Sequence, residues 1–170
     1  TLNRPDALNA AANETVYDKP ERQADLAAMR RKVAELLRGH KVLEIACGTG
    51  YWTRVIGETA ASIHATDLNE EALALARARQ QGINATFAQA DAFDLPAAVG
   101  QYTAVFAGLW WSHVQREEQE RFLAQLRARL GKDVLLVLLD NVYVDGSSTV
   151  IARTDHEGNT FQFRTLPSGG

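Results

Sequence analysis

Apolar residues along the chain switch between two periods. Across residues 21–38, Leu26, Met29, Val33, Leu36 and Leu37 recur at three- and four-residue spacing, which is one face of an amphipathic helix, and Gly39 is placed to stop it. Short apolar runs then alternate with helical patterns. Residues 41–46, 62–66, 84–88, 102–107 and 133–139 read as strands; residues 51–60, 70–81 and 115–130 read as helices. Asn69 is positioned to cap the second of these helices, with Glu70 and Glu71 in its first turn and Gly82 after its end. The last is acidic at its start (Glu117, Glu118, Glu120) and basic near its end (Arg127, Arg129), with Phe122, Leu123, Leu126 and Leu130 as its expected buried stripe. The unbroken apolar run in 133–139 is that of a strand covered on both faces.

Strands alternating with helices predict an α/β fold: a doubly wound, mostly parallel sheet with helices on both faces and right-handed crossovers. Residues 1–20, with Pro5 and Pro20 and little periodicity, read as an N-terminal arm, and residues 21–170 as one domain. After Asp140 the pattern weakens. Residues 149–153 and 160–166 fit a hairpin about His156-Glu157-Gly158-Asn159, so the sheet is expected to lack its last strand, and an edge left open there would favour a homodimer.

Composition narrows the classes. The chain has 170 residues, 46% of them apolar, and a net charge of −3, which gives no electrostatic reason for a nucleic-acid partner. Its one cysteine, Cys47, has no partner for an intramolecular disulfide, and a reducing, cytoplasmic setting is expected. No apolar run reaches membrane-spanning length, so no membrane partner is expected. The opening at Thr1 and the Ser168-Gly169-Gly170 ending suggest residues missing at either end. Residues 1–10 look like the start of an enoyl-CoA hydratase-type chain, but nothing later supports that chemistry.

The stretch richest in chemistry is Glu44-Ile45-Ala46-Cys47-Gly48-Thr49-Gly50, a buried strand ending in an acid and a glycine turn. Parallel sheets bind ligands beyond the carboxyl ends of their strands, and glycines let backbone approach a ligand closely. A dinucleotide turn needs a third glycine, and Thr53 stands there instead. Asp67 ends the second strand and Asp91 follows the third. This E-x-A-x-G-x-G pattern with its two later acids resembles motif I of class I, Rossmann-like S-adenosylmethionine-dependent methyltransferases, with Ala46 in place of the family's first glycine. The resemblance spans about residues 42–139. It implies S-adenosylmethionine as cofactor, held by Glu44, Ala46, Cys47, Gly48, Gly50, Asp67, Leu68, Asp91, Ala92, Phe93 and Gly108. Asp67 would take the ribose diol, Asp91 the adenine amino group, and Tyr17 of the arm would fold over the cofactor. Trp52 would pack near the methionine end or in the core.

The acceptor would lie beyond the fourth strand, near Gly108-Leu109-Trp110-Trp111-Ser112-His113. His113 is the candidate general base, and Trp110 and Trp111 the candidate walls of an acceptor pocket. His40, His64 and His156 read as structural or solvent-facing, and no spacing suggests a metal site. The [DNS]-P-P-[YFW] motif of amino-directed DNA methyltransferases is absent, as is the Pro-Cys nucleophile of cytosine C5 enzymes. The expected activity is therefore methyl transfer to the oxygen or nitrogen of a small molecule. A non-catalytic S-adenosylmethionine-binding module and an NAD-dependent oxidoreductase are the alternatives.

Overall fold

A computed structural model describes residues 20–80, 82–141, 151–154 and 160–163. A single 3-10 turn at Pro20–Arg22 leads into helix α1 (Gln23–Leu36). Then follow β1 (Lys41–Ile45), α2 (Tyr51–Gly57), β2 (Ser62–Asp67), α3 (Glu70–Arg79), β3 (Ala85–Gln89), β4 (Ala104–Gly108), a 3-10 turn at Trp111–His113, α4 (Arg116–Leu130) and β5 (Leu135–Leu139). The five strands form one parallel sheet in the order β3-β2-β1-β4-β5. The expected α/β architecture is therefore present, with element ends shifted by one to three residues. A separate antiparallel pair, β6 (Ile151–Thr154) and β7 (Thr160–Phe163), forms its own two-stranded sheet within the unit 141–170.

The pleat divides the core. Val42, Ile63, Ala65, Ala104 and Phe106 pack against Val33 and Leu37 at α1, Trp52 and Ile56 of α2, and Leu73 of α3. On the other face Leu43, Ile45, Val105 and Ala107 meet Phe122, Leu126 and Leu130 of α4. Over β1 and β4 the sheet is thus covered twice, which is why those strands carry apolar residues in both directions. Over β2 and β3 no helix among the described residues covers the second face; the irregular connection 90–103 lies there, and the strands answer with His64, Thr66 and Thr86.

Three expected burials differ. Leu123 is 40% exposed, because Phe122, Leu126 and Leu130 at four-residue steps already fill the contact. Leu36 is exposed while its neighbour Leu37 takes the buried position. In β5, Leu135 and Leu136 are 38% and 36% exposed, since β5 is an edge of the five-stranded sheet rather than a strand flanked on both sides.

The loop structure is fixed by local chemistry. The Asn69 side chain accepts from the backbone N–H groups of Glu71 and Ala72 (2.9 and 3.3 Å), so it caps α3 as its sequence position implied. Among the described residues no helix is long and apolar enough to cross a membrane.

Candidate active site

Crossovers from β1 run toward β2 and β3 on one side, while β4 and β5 lie on the other, so the sheet reverses between β1 and β4. A crevice outside the carboxyl ends of these two strands is where such sheets take ligands. Both described non-glycine residues with positive φ flank that crevice: Ala46 (φ 53°) just beyond β1 and Leu109 (φ 56°) just beyond β4. A left-handed conformation costs an alanine or leucine roughly 1 kcal/mol or more, and residues held so against that cost cluster at functional sites.

The turn after β1 is tied to the end of β2. Asp67 accepts from the Gly48 N–H through Oδ2 and from the Asn69 N–H through Oδ1, each at 2.8 Å. Each carboxylate oxygen has acceptor capacity beyond one such bond, so an anchored Asp67 can also receive two hydroxyls of a diol. The Cys47 N–H donates to the Thr66 carbonyl (3.0 Å), and Gly48 and Gly50 take φ of 56° and 86°. The space a Cβ would need at Gly50 is occupied from behind: it would lie 2.6 Å from Gln80 Nε2 and 3.1 Å from Ala76 Cβ. Gln80 Nε2 also donates to the Gly50 carbonyl (2.6 Å), joining the end of α3 to the start of α2.

Beneath this turn lies Glu44, 2% exposed. Thr53 Oγ1 donates to its carboxyl at 2.6 Å. Burial pushes the Glu44 pKa up to about 8; the Thr53 bond opposes that rise and the nearby Asp67 adds to it. Cys47 is also buried, and its thiol is pushed far up by burial, with Glu44 and Asp67 adding to the rise and its backbone bond and Arg77 opposing it.

Asp91 shapes the turn after β3. Its Oδ1 accepts from the Phe93 N–H (3.0 Å), and its carbonyl accepts from the Asp94 N–H (2.9 Å). Asp91, Ala92 and Phe93 are half-buried, and Leu68 after β2 is exposed at the same edge. Phe93 turns toward the aromatic group of Trp110 and Phe122, with ring centroids 6.1 and 5.6 Å away, and the Arg121 guanidinium lies 5.3 Å over its ring. A cavity of about 380 Å³ opens beside Asp91 beneath the 90–103 connection, lined among others by His64, Thr66, Asp94, Leu95 and Tyr102. His64 accepts or donates at Thr86 Oγ1 (2.8 Å) and His40 at Thr103 Oγ1 (2.9 Å), the structural roles expected of both; burial lowers the His64 pKa.

On the β4 side, the Leu109 N–H donates to the Leu139 carbonyl (2.7 Å) and the Ser112 N–H to Asp140 Oδ2 (2.5 Å). These two bonds hang the post-β4 loop on the end of β5. Trp110 is 8% exposed and packs 5.1 Å from Phe122, so it closes the core; Trp111 is half-buried on the same ring, and Ser112 and His113 face solvent. Gly108 is explained by a side chain: a Cβ there would lie 2.7 Å from the Trp52 indole, itself buried against Phe106. Tyr17 lies outside the described residues. Thr53, Gln80 and Asp140 were not singled out from sequence. Thr53 registered there only as a missing glycine, yet it is fully buried and holds Glu44. Among the described residues no group of three or more His, Cys, Asp or Glu is placed to hold a metal ion.

A family model described as a methyltransferase domain matches residues 42–133. No curated protein sequence matches the chain. Among solved structures, DhpI in complex with SAH superposes with a TM-score of 0.70 at 29% identity, over 94% of this chain and 76% of that one. The DhpI–SAM–HEP complex gives a TM-score of 0.69 at 28% identity, over 94% and 78%. An S-adenosylmethionine-dependent methyltransferase from Mesorhizobium loti shares the fold, with a TM-score of 0.55 at 22% identity over 65% and 51%.

Proposed function

The chain belongs to the methyltransferase-domain family, and on that premise we propose that it transfers the methyl group of S-adenosylmethionine to the oxygen or nitrogen of a small-molecule acceptor. The observation that carries this reading is the donor set at the crevice: Glu44, Asp67 and Asp91 stand at or just past the ends of three successive strands, beside a turn with no Lys or Arg between 42 and 53. The Asp67 and Asp91 carboxylates in that array repel a pyrophosphate and suit a cationic ligand with a ribose diol. The similarity to DhpI, whose complexes hold SAH, or SAM with HEP, supports the same donor and a small second ligand.

The donor supplies a methyl group on a sulfonium sulfur. Held in line with it, an acceptor's lone pair would take that methyl group as the carbon–sulfur bond breaks, the sulfur keeping the bonding pair. Little covalent help is needed, so the chain's work is holding two molecules in line. Glu44, Ala46, Cys47, Gly48, Gly50 and Gly108 would line the methionine side, Asp67 and Leu68 the ribose, and Asp91, Ala92 and Phe93 the adenine. Tyr17 is proposed as a cover over the donor. Trp111 is the better-placed wall for an acceptor, since Trp110 is committed to Phe93 and Phe122. His113, exposed at the carboxyl end of β4, is the proposed base for an acceptor that must lose a proton.

Titration with S-adenosylhomocysteine and with NAD, followed by labelled S-adenosylmethionine against a panel of small hydroxyl and amino compounds, tests the reading. Binding of S-adenosylhomocysteine with transfer to a panel member is expected. Binding with no transfer to any compound would favour a non-catalytic module, and preference for NAD would overturn the assignment.

A further inference from the structure

We infer that Thr53 and Glu44 form a charge-responsive pair beneath the donor site: Thr53 positions the buried Glu44 carboxyl so that it answers the positive sulfur of the methyl donor and favours the donor over its neutral product. The inference rests on the S-adenosylmethionine reading above and adds to it the means by which two ligands of almost identical shape are told apart.

Among the described residues the Glu44 carboxyl has one hydrogen-bond partner. Its carboxyl is 2% exposed, and Thr53, fully buried in the first turns of α2, donates to Oε2 at 2.6 Å. The groups facing it can be named from each neighbouring element. From β2 comes the Asp67 carboxylate, from the turn the Cys47 thiol, from α2 the Thr53 hydroxyl. Its register neighbours Ala65 on β2 and Phe106 on β4 carry no charge. The Thr66 hydroxyl donates to the Glu44 backbone carbonyl and so does not serve the side chain. Among the described residues this set is one acid and one thiol, and the Arg77 cation of α3 acts on Cys47 and not on Glu44.

A carboxyl in such surroundings keeps its proton into the neutral range, and that is the direction its burial and Asp67 impose, up to about 8. The Thr53 bond favours its ionised form but does not outweigh burial, and a positive charge arriving at the crevice would add to it. The sulfonium of S-adenosylmethionine is such a charge; the thioether sulfur of S-adenosylhomocysteine is not. When the donor binds, the Glu44 proton goes to solvent, and the Thr53 hydroxyl, already aimed at Oε2, remains as donor to the carboxylate. When the product is left behind, the proton returns and the extra attraction vanishes. Thr53 is thus a positioning residue, standing where a dinucleotide turn would have a glycine.

The test is proton release on binding, read by calorimetry at pH 7 in two buffers of different ionisation enthalpy. S-adenosylmethionine and S-adenosylhomocysteine are each titrated into the wild-type protein and into Glu44→Gln, Thr53→Val and Thr53→Ser. The wild type should release more protons with S-adenosylmethionine than with S-adenosylhomocysteine, the excess approaching about one per site. The excess should vanish in Glu44→Gln, shrink in Thr53→Val and survive in Thr53→Ser. Titration of the ligands' own amines is common to all these proteins and cancels in the comparison. From pH 6 to 8 the wild type should also gain donor affinity over Glu44→Gln, by about tenfold for each unit through which the donor displaces the carboxyl's pKa. An excess no larger in the wild type than in Glu44→Gln and Thr53→Val overturns the inference. Should Glu44→Gln not fold, the wild type and the two Thr53 variants decide the matter by themselves. Failure of both ligands to bind would overturn the functional reading itself, whereas binding of both without the excess overturns only this pair.

Discussion

The two sides of the crevice are built differently. On the β1–β3 side, side chains hold backbone and one another: Asp67 grips the Gly48 and Asn69 N–H groups, Gln80 the Gly50 carbonyl, and the Thr53 hydroxyl the Glu44 carboxyl. On the β4–β5 side, the loop hangs from β5 by the Leu139 carbonyl and the Asp140 carboxylate, rests on the ring of Phe122, and turns Ser112 and His113 to solvent. The first side is a fixed mould. The second is a platform whose outer residues remain open to contact. A donor common to a whole family needs the mould, while an acceptor particular to one enzyme needs the platform.

That contrast breaks most visibly through catalysis. His113→Ala should lower turnover by about 10²–10⁴-fold with an acceptor that must be deprotonated, while the S-adenosylhomocysteine dissociation constant stays unchanged. A parallel loss of cofactor affinity would mean the two sides are not separate. Asp67→Ala is the converse experiment. It removes the proposed ribose acceptor and the anchor of two backbone N–H groups, and should weaken S-adenosylhomocysteine by about 2–4 kcal/mol in calorimetry. An unchanged affinity would show that the ribose is held elsewhere.

Gly108→Ala probes where the two sides touch. Its Cβ would sit 2.7 Å from the buried Trp52, an overpacking expected to cost about 1–3 kcal/mol of stability in denaturant unfolding. A fully stable variant would show that Trp52 has room to move.

Glu44 makes the mould sensitive to pH. Its carboxyl ionises near 4.5 in the unfolded chain and near 8 when folded, so the unfolded state binds fewer protons between those values. Stability should therefore fall, relative to Glu44→Gln, by about 1 kcal/mol per pH unit as pH rises through that window, and level off above it. Parallel unfolding curves for the two proteins from pH 5 to 8 would refute the burial argument. The smallest effect belongs to the platform. Asp140→Ala releases the Ser112 N–H and should cost about 1 kcal/mol or less, seen as faster hydrogen exchange at Ser112 with unchanged S-adenosylhomocysteine affinity.

The mould was the more legible side in the sequence because its parts lie at strand ends, where periodicity stops and an acid or a glycine has few other reasons to stand. Glu44, Asp67 and Asp91 are spaced by whole strand–helix units, so their common edge follows from the alternation alone. The glycines were less transparent. Gly108 reads as a place for ligand approach, yet Trp52 fills the space where its side chain would be, and no local pattern links residues 56 positions apart. Thr53 and Gln80 were hidden for the same reason: each bond they make joins elements through the fold, and an isolated buried threonine or glutamine has no periodic signature. Leu135 and Leu136 looked like the interior of a sheet because an unbroken apolar run does not distinguish a central strand from an edge.

The distribution of the indoles has a practical use. Trp52 lies under the mould, edge-on to Tyr51 and close to Phe106, while Trp110 and Trp111 belong to the platform and share Phe122. The chain has only these three tryptophans. Phenylalanine replacements that leave either Trp52 or Trp111 as sole emitter would give each side its own fluorescent voice. Donor arrival and acceptor arrival could then be timed separately in a stopped-flow instrument, with no label attached to either molecule.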